Sequence, residues 1–115
     1  MVKRIVMSTV LSVFVMACGS SIPPPNDQWA AAQNDVGKAQ QGGAPSVPDA
    51  KLHLQLAEED LQKSKELMDK DNRRAASLAA VASIEAQLAL SMAKAQQAQA
   101  QAQQAQQDLA KAKGN

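Results

Sequence analysis

The stretch LQLAEEDLQKSKELMDKDNRRAASLAAVASIEAQLALSMAKA, residues 54–95, decides the fold of this chain. Small and apolar side chains recur in it at alternating spacings of three and four, which places them on one face of an α-helix. The first face begins slightly upstream, is widened by Leu52, Leu56 and Leu67, and consists of Val47, Ala50, Leu54, Ala57, Leu61, Ser64 and Met68. The second face, the alanine seam, consists of Ala75, Ala79, Ala82, Ala86, Ala89 and Ala93. This pattern predicts one helix over residues 47–69 and another over residues 73–112.

The two helices are separated by Asp69-Lys70-Asp71-Asn72, where the apolar period breaks. Asp71 or Asn72 is suited to cap the second helix, because a short polar side chain accepts hydrogen bonds from free backbone amides. A short connection makes neighbouring helices antiparallel, and small side chains let their backbones approach closely. The side chains expected to fill the groove beside the alanine seam are Leu78, Val81, Leu88 and Met92.

A shorter helix is expected upstream, over residues 27–41, with Asn26 or Asp27 as its cap. Its apolar face consists of Trp29, Ala32, Val36 and Ala39. We expect Trp29 to anchor the core, the alternative being contact with a partner or an interface. Gly42-Gly43 is expected to end this helix.

The segment from Ser46 to Asp49 has the spacing of a capping box for the following helix. The predicted fold class is all-α, with an antiparallel helical hairpin or three-helix bundle over residues 27–94. A long C-terminal helix is expected to extend beyond it.

Residues 95–115 form an Ala/Gln-rich tail, and both residue types favour helix. A helix of about 40 residues is about 60 Å long, against about 35 Å for the helix before it. The last ~20 residues therefore lack a partner within the chain. They either fray or form a coiled coil with another chain, and their alanine stripe favours fraying or weak pairing.

The first 17 residues have the pattern of an export signal. Lys3 and Arg4 precede an apolar segment, residues 5–16, whose helical length of about 18 Å is too short for the ~30 Å hydrocarbon core of a membrane. The segment ends in Val15-Met16-Ala17-Cys18, which resembles the lipobox of bacterial lipoproteins. This resemblance implies a diacylglyceryl group on the Cys18 thiol and cleavage just before Cys18. An ordinary secretory cleavage site and a buried cysteine are the alternatives.

The mature chain would then begin with lipidated Cys18 and a proline-rich tether, together residues 18–26. Residues 19–26 read GSSIPPPN, and the three prolines stiffen them toward polyproline II. Eight residues span about 25 Å at ~3.1 Å each, which would lift the first helix clear of the lipid headgroups. In such lipoproteins an Asp after the cysteine resembles a signal to stay in the inner membrane. Gly19 stands there instead, which favours the periplasmic face of the outer membrane.

Composition argues against several function classes. Removing Lys3 and Arg4 with the signal leaves 10 of the 12 basic residues against 11 acidic ones, a formal charge of −1, so no electrostatic footprint for nucleic acid remains. His53 is the only histidine and has no partner at metal-ligand spacing, so it is expected to be solvated. The run from Glu58 to Asp60 spreads around its helix, and no serine has a paired base. We expect no enzyme activity, catalytic residue, cofactor or metal.

The turn between the two long helices is basic, with Lys70, Arg73 and Arg74. Basic residues at a helix start oppose the macrodipole, so these three do not stabilise that helix. If the first helix points away from the membrane, the second returns toward it and the turn faces the membrane, where each basic residue contributes about 1 kcal/mol at an anionic surface. The alternative is an ordinary solvated turn.

Residues 54–95, preceded by the spacing of Trp29, Ala32, Val36 and Ala39, resemble a bacterial family catalogued as domain of unknown function forty-three ninety-eight. The resemblance covers residues 28–95 and implies a helical unit in a lipoprotein or ahead of an OmpA-like peptidoglycan-binding domain. Its signature is a pattern of small and apolar residues, so it implies fold and compartment rather than mechanism. Past residue 95 the Ala/Gln tail follows, so wall binding through an OmpA-like domain is not carried over.

The leading interpretation is a lipid-anchored, non-enzymatic envelope protein that acts as a spacer or adaptor. It would contact the membrane through the lipid on Cys18 and a protein or peptidoglycan-associated partner through residues 95–112. Weak self-association through the same residues is a variant. The alternative is a periplasmic ligand- or peptidoglycan-binding module, which would need polar groups converging on a pocket.

Overall fold

The computed structural model describes residues 21–114. Within this range α1 spans Asn26–Gln41, a short 3-10 turn spans Ala44–Ser46, α2 spans Pro48–Leu67 and α3 spans Asn72–Lys113. The prediction of an all-helical chain with a long C-terminal helix is confirmed. The predicted signal peptide, Cys18 and Asn115 lie outside the described residues.

The core is built from the faces that the helical period predicts. All six alanines of the seam on α3 are 0% exposed, and the buried members of the α2 face are Ala50, Leu54, Ala57, Leu61 and Ser64. From α1 the core receives Ala32, Val36 and Ala39, while Trp29 and Leu90 pack against its edge. Because most of these side chains are alanine, each buries little apolar area. Water is therefore excluded by the close approach of the helix backbones rather than by large side chains.

Side-chain hydrogen bonds show how the helices are paired. Between α2 and α3 the Ser64 hydroxyl donates to the Ala75 carbonyl at 2.7 Å, and His53 Nδ1 lies 2.6 Å from Glu85 Oε2. The residues of α2 therefore pair with those of α3 in reverse order. Between α1 and α3 the order is the opposite, since Asp35 accepts from the Ser83 hydroxyl and the Gly42 carbonyl, further along the chain, accepts from Gln97 Nε2 at 3.1 Å.

Two of the expected helix caps are wrong. Neither Asn26 nor Asp27 caps α1, which starts after Pro25 with no side-chain cap; the Pro25 carbonyl accepts from the Trp29 amide at 2.9 Å. Ser46 does not cap α2, because it belongs to the 3-10 turn and Val47 precedes the helix. Pro48 at the first position of α2 has no amide hydrogen to satisfy, which reduces the need for a cap.

The other two expected boundaries are confirmed. Asp71 caps α3, with its Oδ1 accepting from the Arg74 amide at 3.0 Å. Gly42-Gly43 ends α1, and Gly43 adopts a φ of 93°, the left-handed conformation that glycine enters without strain. Gly42 packs so closely against the Leu90 side chain that a Cβ there would collide with it.

Several aliphatic side chains that were expected to cover the core are exposed. Leu52 and Leu56 on α2 are 55% and 38% exposed, and Val81 and Leu88 on α3 are 40% and 41% exposed. The expectation that Val81 and Leu88 fill the groove beside the seam is therefore wrong, as is the expectation that Leu52 and Leu56 widen the buried α2 face. Leu78 is half-buried beside the seam, and Met92 packs against the core. The physical reason is that alanines bring α2 and α3 so close together that the groove is narrow, and longer side chains at its margins stay in water.

Beyond the packed region α3 continues as a helix to Lys113, although residues 98–113 are exposed along their whole length. An isolated helix of this length is marginal in water because nucleation is costly. Here the nucleus is already formed by the packed part of α3, and each further residue only propagates it.

By length and mean hydropathy α3 is apolar enough to cross a membrane. Core helices of helical bundles pass the same test, and the alanines that raise this mean include those buried against α1 and α2.

Candidate functional site

The basic turn and the proline tether lie at the same end of the molecule. Lys70, Arg73 and Arg74 are exposed where α2 gives way to α3. Beside them, Asn72 Nδ2 donates a 2.7 Å hydrogen bond to the carbonyl oxygen of Ile22, fifty positions earlier in the chain. The structure therefore brings the three basic residues next to the segment that leads to Cys18.

This contact places an upper limit on the distance between the turn and the predicted lipid. Ile22 is four residues after Cys18, and four residues span at most about 14 Å when fully extended. Cys18 itself lies outside the described residues, so its lipidation stays a prediction. The part of the predicted tether from Ile22 to Pro25 lines a groove together with Ala76 near the start of α3.

The charge of the turn is smaller than its three basic residues suggest. Asp69 and Asp71 are also exposed there, which leaves a formal charge of +1 for residues 69–74. The Asp71 carboxylate is engaged in capping α3, whereas no hydrogen bond or ion pair to the side chains of Arg73, Arg74 or Lys70 is found among the described residues. These cations are therefore free to meet an anionic surface, with Asp69 reducing the attraction.

Trp29 lies on α1 at the edge of the core and is half-buried against α2. Its Nε1–H donates to the Leu61 carbonyl at 3.1 Å, and the Lys65 ammonium lies 5.5 Å from the ring centroid. The side chain therefore packs against the core, and a cation lies over its ring. This geometry fits the anchoring role expected for Trp29.

His53 is not the freely solvated residue that the sequence suggested. Its imidazole is half-buried and lies 2.6 Å from the Glu85 carboxylate across the α2–α3 boundary. The sequence could not show this pair, because it depends on the register between two helices. Glu58, in contrast, is exposed and accepts from Gln40 Nε2 at 2.7 Å, which links α2 to α1.

Asp35 is a polar centre that sequence reasoning missed. Its carboxylate accepts hydrogen bonds from the Ser83 hydroxyl at 2.5 Å and from Gln87 Nε2 at 3.0 Å, and Lys38 lies 3.3 Å away. The bond from Ser83, followed by that from Gln87, holds the pKa of Asp35 below its ordinary value of 3.8, although burial acts in the opposite direction. The only available signal was the spacing of Ser83 and Gln87, which puts both on one side of α3.

Open grooves lie near the turn in the part of the chain that the structure describes. One, of about 370 Å³, lies between the tether and the turn, and another, of about 390 Å³, lies between α2 and α3. The lining of the second groove consists of Asp60, Lys63, Glu66, Leu67, Arg74 and Leu78. Across residues 21–114, no group of three or more His, Cys, Asp or Glu side chains could hold a metal ion.

Comparison with known proteins identified no relative of this chain. A scan against protein-family models gave no match for this chain, and searches of curated proteins and of solved structures gave none either.

Proposed function

We propose that this chain is a lipid-anchored, non-enzymatic protein of the bacterial envelope that acts as a spacer or adaptor. It is held on the periplasmic face of the outer membrane through a lipid on Cys18. The observation that carries the proposal is the hydrogen bond between Asn72 and Ile22, because it puts the start of the long helix next to the predicted anchor.

In this proposal α2 and α3 form an antiparallel hairpin, and α1 packs beside them to make a three-helix bundle. Ile22, which is hydrogen-bonded to the start of α3, lies within about 14 Å of Cys18. The 42 residues of α3 are about 63 Å long. The exposed end of α3 therefore lies far from the anchor. The resemblance of residues 28–95 to the helical family named above fits this arrangement.

The basic turn then faces the membrane. Lys70, Arg73 and Arg74 lie beside the tether, where each contributes about 1 kcal/mol at an anionic surface before the opposing effect of Asp69 is counted. Replacing all three by Gln in delipidated protein should weaken binding to anionic vesicles and leave binding to neutral vesicles unchanged. Equal binding of the parent and the triple variant would contradict the membrane-facing role.

The exposed part of α3, residues 95–112, would contact a protein or a peptidoglycan-associated partner. Crosslinking in cells from single positions along this range, with mass spectrometry of the captured species, tests the proposal. Recurrent capture of one envelope component supports an adaptor, whereas capture confined to the chain itself supports weak self-association. Light scattering of delipidated protein with and without residues 95–115 separates the two. If the tail self-associates, the full chain has the mass of an oligomer and the truncated chain that of a monomer, whereas a monomer in both cases excludes self-association.

The alternative function is a periplasmic ligand- or peptidoglycan-binding module. The observation in its favour is the groove between α2 and α3, whose volume of about 390 Å³ falls within the range of small-molecule sites. Titration with soluble muropeptides, followed by the NMR shifts of Lys63 and Arg74, tests it. Shifts confined to these residues would favour the alternative, and their absence would remove it.

A further inference from the structure

Asn72 makes two hydrogen bonds, one through the oxygen and one through the nitrogen of its side-chain amide. Oδ1 accepts from the Asp69 amide at 2.8 Å, which closes the turn between α2 and α3. Nδ2 donates to the Ile22 carbonyl at 2.7 Å, which reaches out of the turn to the tether. A single half-buried side chain therefore joins two segments that are far apart in the sequence.

The turn is shaped to present this side chain. Asp69 has a φ of 66°, a conformation that Asp tolerates better than most residues, and its amide donates to Asn72 Oδ1. Asp71 caps α3 one residue before Asn72, so the backbone on which Asn72 stands is fixed.

The tether is held from its other end as well. The Pro24 carbonyl accepts from the Asn26 amide at 2.9 Å, so the chain enters α1 directly from the prolines. A groove beside the start of α3 is lined by Ile22, Pro23, Pro24, Pro25, Asp27, Gln28 and Ala76. Proline has a fixed φ, so the segment between Ile22 and α1 has few conformations to lose.

We infer that Asn72 is the positioning residue that holds Ile22 against the start of α3, so that residues 22–26 are a rigid brace between the anchor and the long helix rather than a flexible spacer. The inference deepens the proposed function, on which it rests, because a braced tether fixes the direction in which α3 leaves the membrane.

Two substitutions separate the two bonds of Asn72. Asn72→Asp keeps an oxygen that accepts from Asp69 but removes the donor to Ile22, and a carboxylate at a helix start is favourable. Asn72→Ala removes both bonds. Asn34→Asp, at an exposed position on α1, adds the same charge elsewhere and is the matched control.

The experiment uses the lipid-free chain from Cys18 onward, which contains every contact described above. A nitroxide is attached to Cys18, the only thiol, and NMR line broadening is measured at the amides of residues 73–75. The parent and Asn34→Asp should show strong broadening there, with the amides of residues 108–112 unaffected. Loss of one hydrogen bond should shift the tether about fivefold toward its released form in Asn72→Asp, with a matching loss of broadening and an unchanged melting temperature.

Equal broadening in the parent and Asn72→Asp overturns the inference, as does a parent without broadening at residues 73–75. Loss of broadening in Asn72→Ala alone also overturns it, because the Asp69 bond would then be the one that matters. The readout needs no lipid. A bare thiol at Cys18 in cells would therefore remove the proposed function and leave the brace standing.

Discussion

The Asp35 carboxylate on α1 accepts a 2.5 Å hydrogen bond from the Ser83 hydroxyl on α3, and this bond joins two helices whose residues are 48 positions apart. With the second bond from Gln87, it places a charged acceptor at the boundary between α1 and α3. Because most core side chains are alanines, such a polar link provides a larger share of the specificity of packing than it would beside a bulky core.

The same link makes stability depend on pH. The pKa of Asp35 is lower in the folded protein than its ordinary value of 3.8, so the stabilisation is present above pH 3.8 and is lost as the pH falls through the folded pKa. Asp35→Asn should lower the free energy of unfolding at neutral pH by about 1 kcal/mol and flatten its decline in acid. Urea unfolding from pH 2 to pH 7 measures this.

The control for that experiment is Glu59→Gln, which removes an exposed carboxylate 3.8 Å from Lys63. Surface pairs of this kind contribute little, so the acid decline should persist in the control. If Asp35→Asn and the parent decline alike, the hydrogen bonds to Asp35 do not stabilise the fold.

Two substitutions of Trp29 should separate the contribution of its packing to stability from that of its hydrogen bond. Trp29→Phe keeps most of the apolar ring and loses the donor to Leu61, so it should cost about 1 kcal/mol. Trp29→Ala also removes the packing of a half-buried ring and should cost about 2–3 kcal/mol, below the range for a fully buried aromatic. Urea unfolding followed by circular dichroism measures both. Equal costs would show that the ring contributes no packing.

Larger side chains in the alanine seam should lower the stability of the protein. Ala82 is 0% exposed between the helices, whereas Ala80 lies on the exposed side of the same turn of α3. Ala82→Leu should destabilise the protein by about 1–3 kcal/mol or more through overpacking, and Ala80→Leu should change stability by less than about 0.5 kcal/mol. Thermal unfolding of both variants tests the pair. A neutral Ala82→Leu would mean that the helices do not pack closely.

Hydrogen exchange should divide α3 into two parts. Amides of residues 75–93 should exchange only through opening of the core, whereas those of residues 98–112 should exchange through local fraying. Ala102→Gly should accelerate exchange in the tail without changing the unfolding midpoint, while Ala86→Gly, in the buried seam, should cost about 1–2 kcal/mol. Equal protection along the whole of α3 in dilute solution would contradict this division and indicate that another chain covers the tail.

The helical period predicted most of the buried faces of α2 and α3. Alternating spacings of three and four identified the six alanines of α3 and the α2 face from Ala50 to Ser64, because burial along a helix follows its geometry. The helix ends at Asp71 and Gly43 were also predicted from local chemistry, but the same reasoning was wrong for the starts of α1 and α2.

The links between helices were not predictable. The pairs His53–Glu85, Asp35–Ser83 and Ile22–Asn72 each join residues 32 to 50 positions apart. Such contacts depend on the rotation and register of whole helices, which a periodic pattern leaves open within about one turn. Of these, only the Ile22–Asn72 bond lies between the predicted tether and the basic turn.

Intact-mass analysis of the mature protein purified from cell envelopes tests the central claim most directly. The account predicts a chain that begins at Cys18, carries a diacylglyceryl group with or without a further acyl chain, and fractionates with the membrane. A chain that begins at Cys18 with a bare thiol, or one recovered in the freely dissolved fraction, would contradict it.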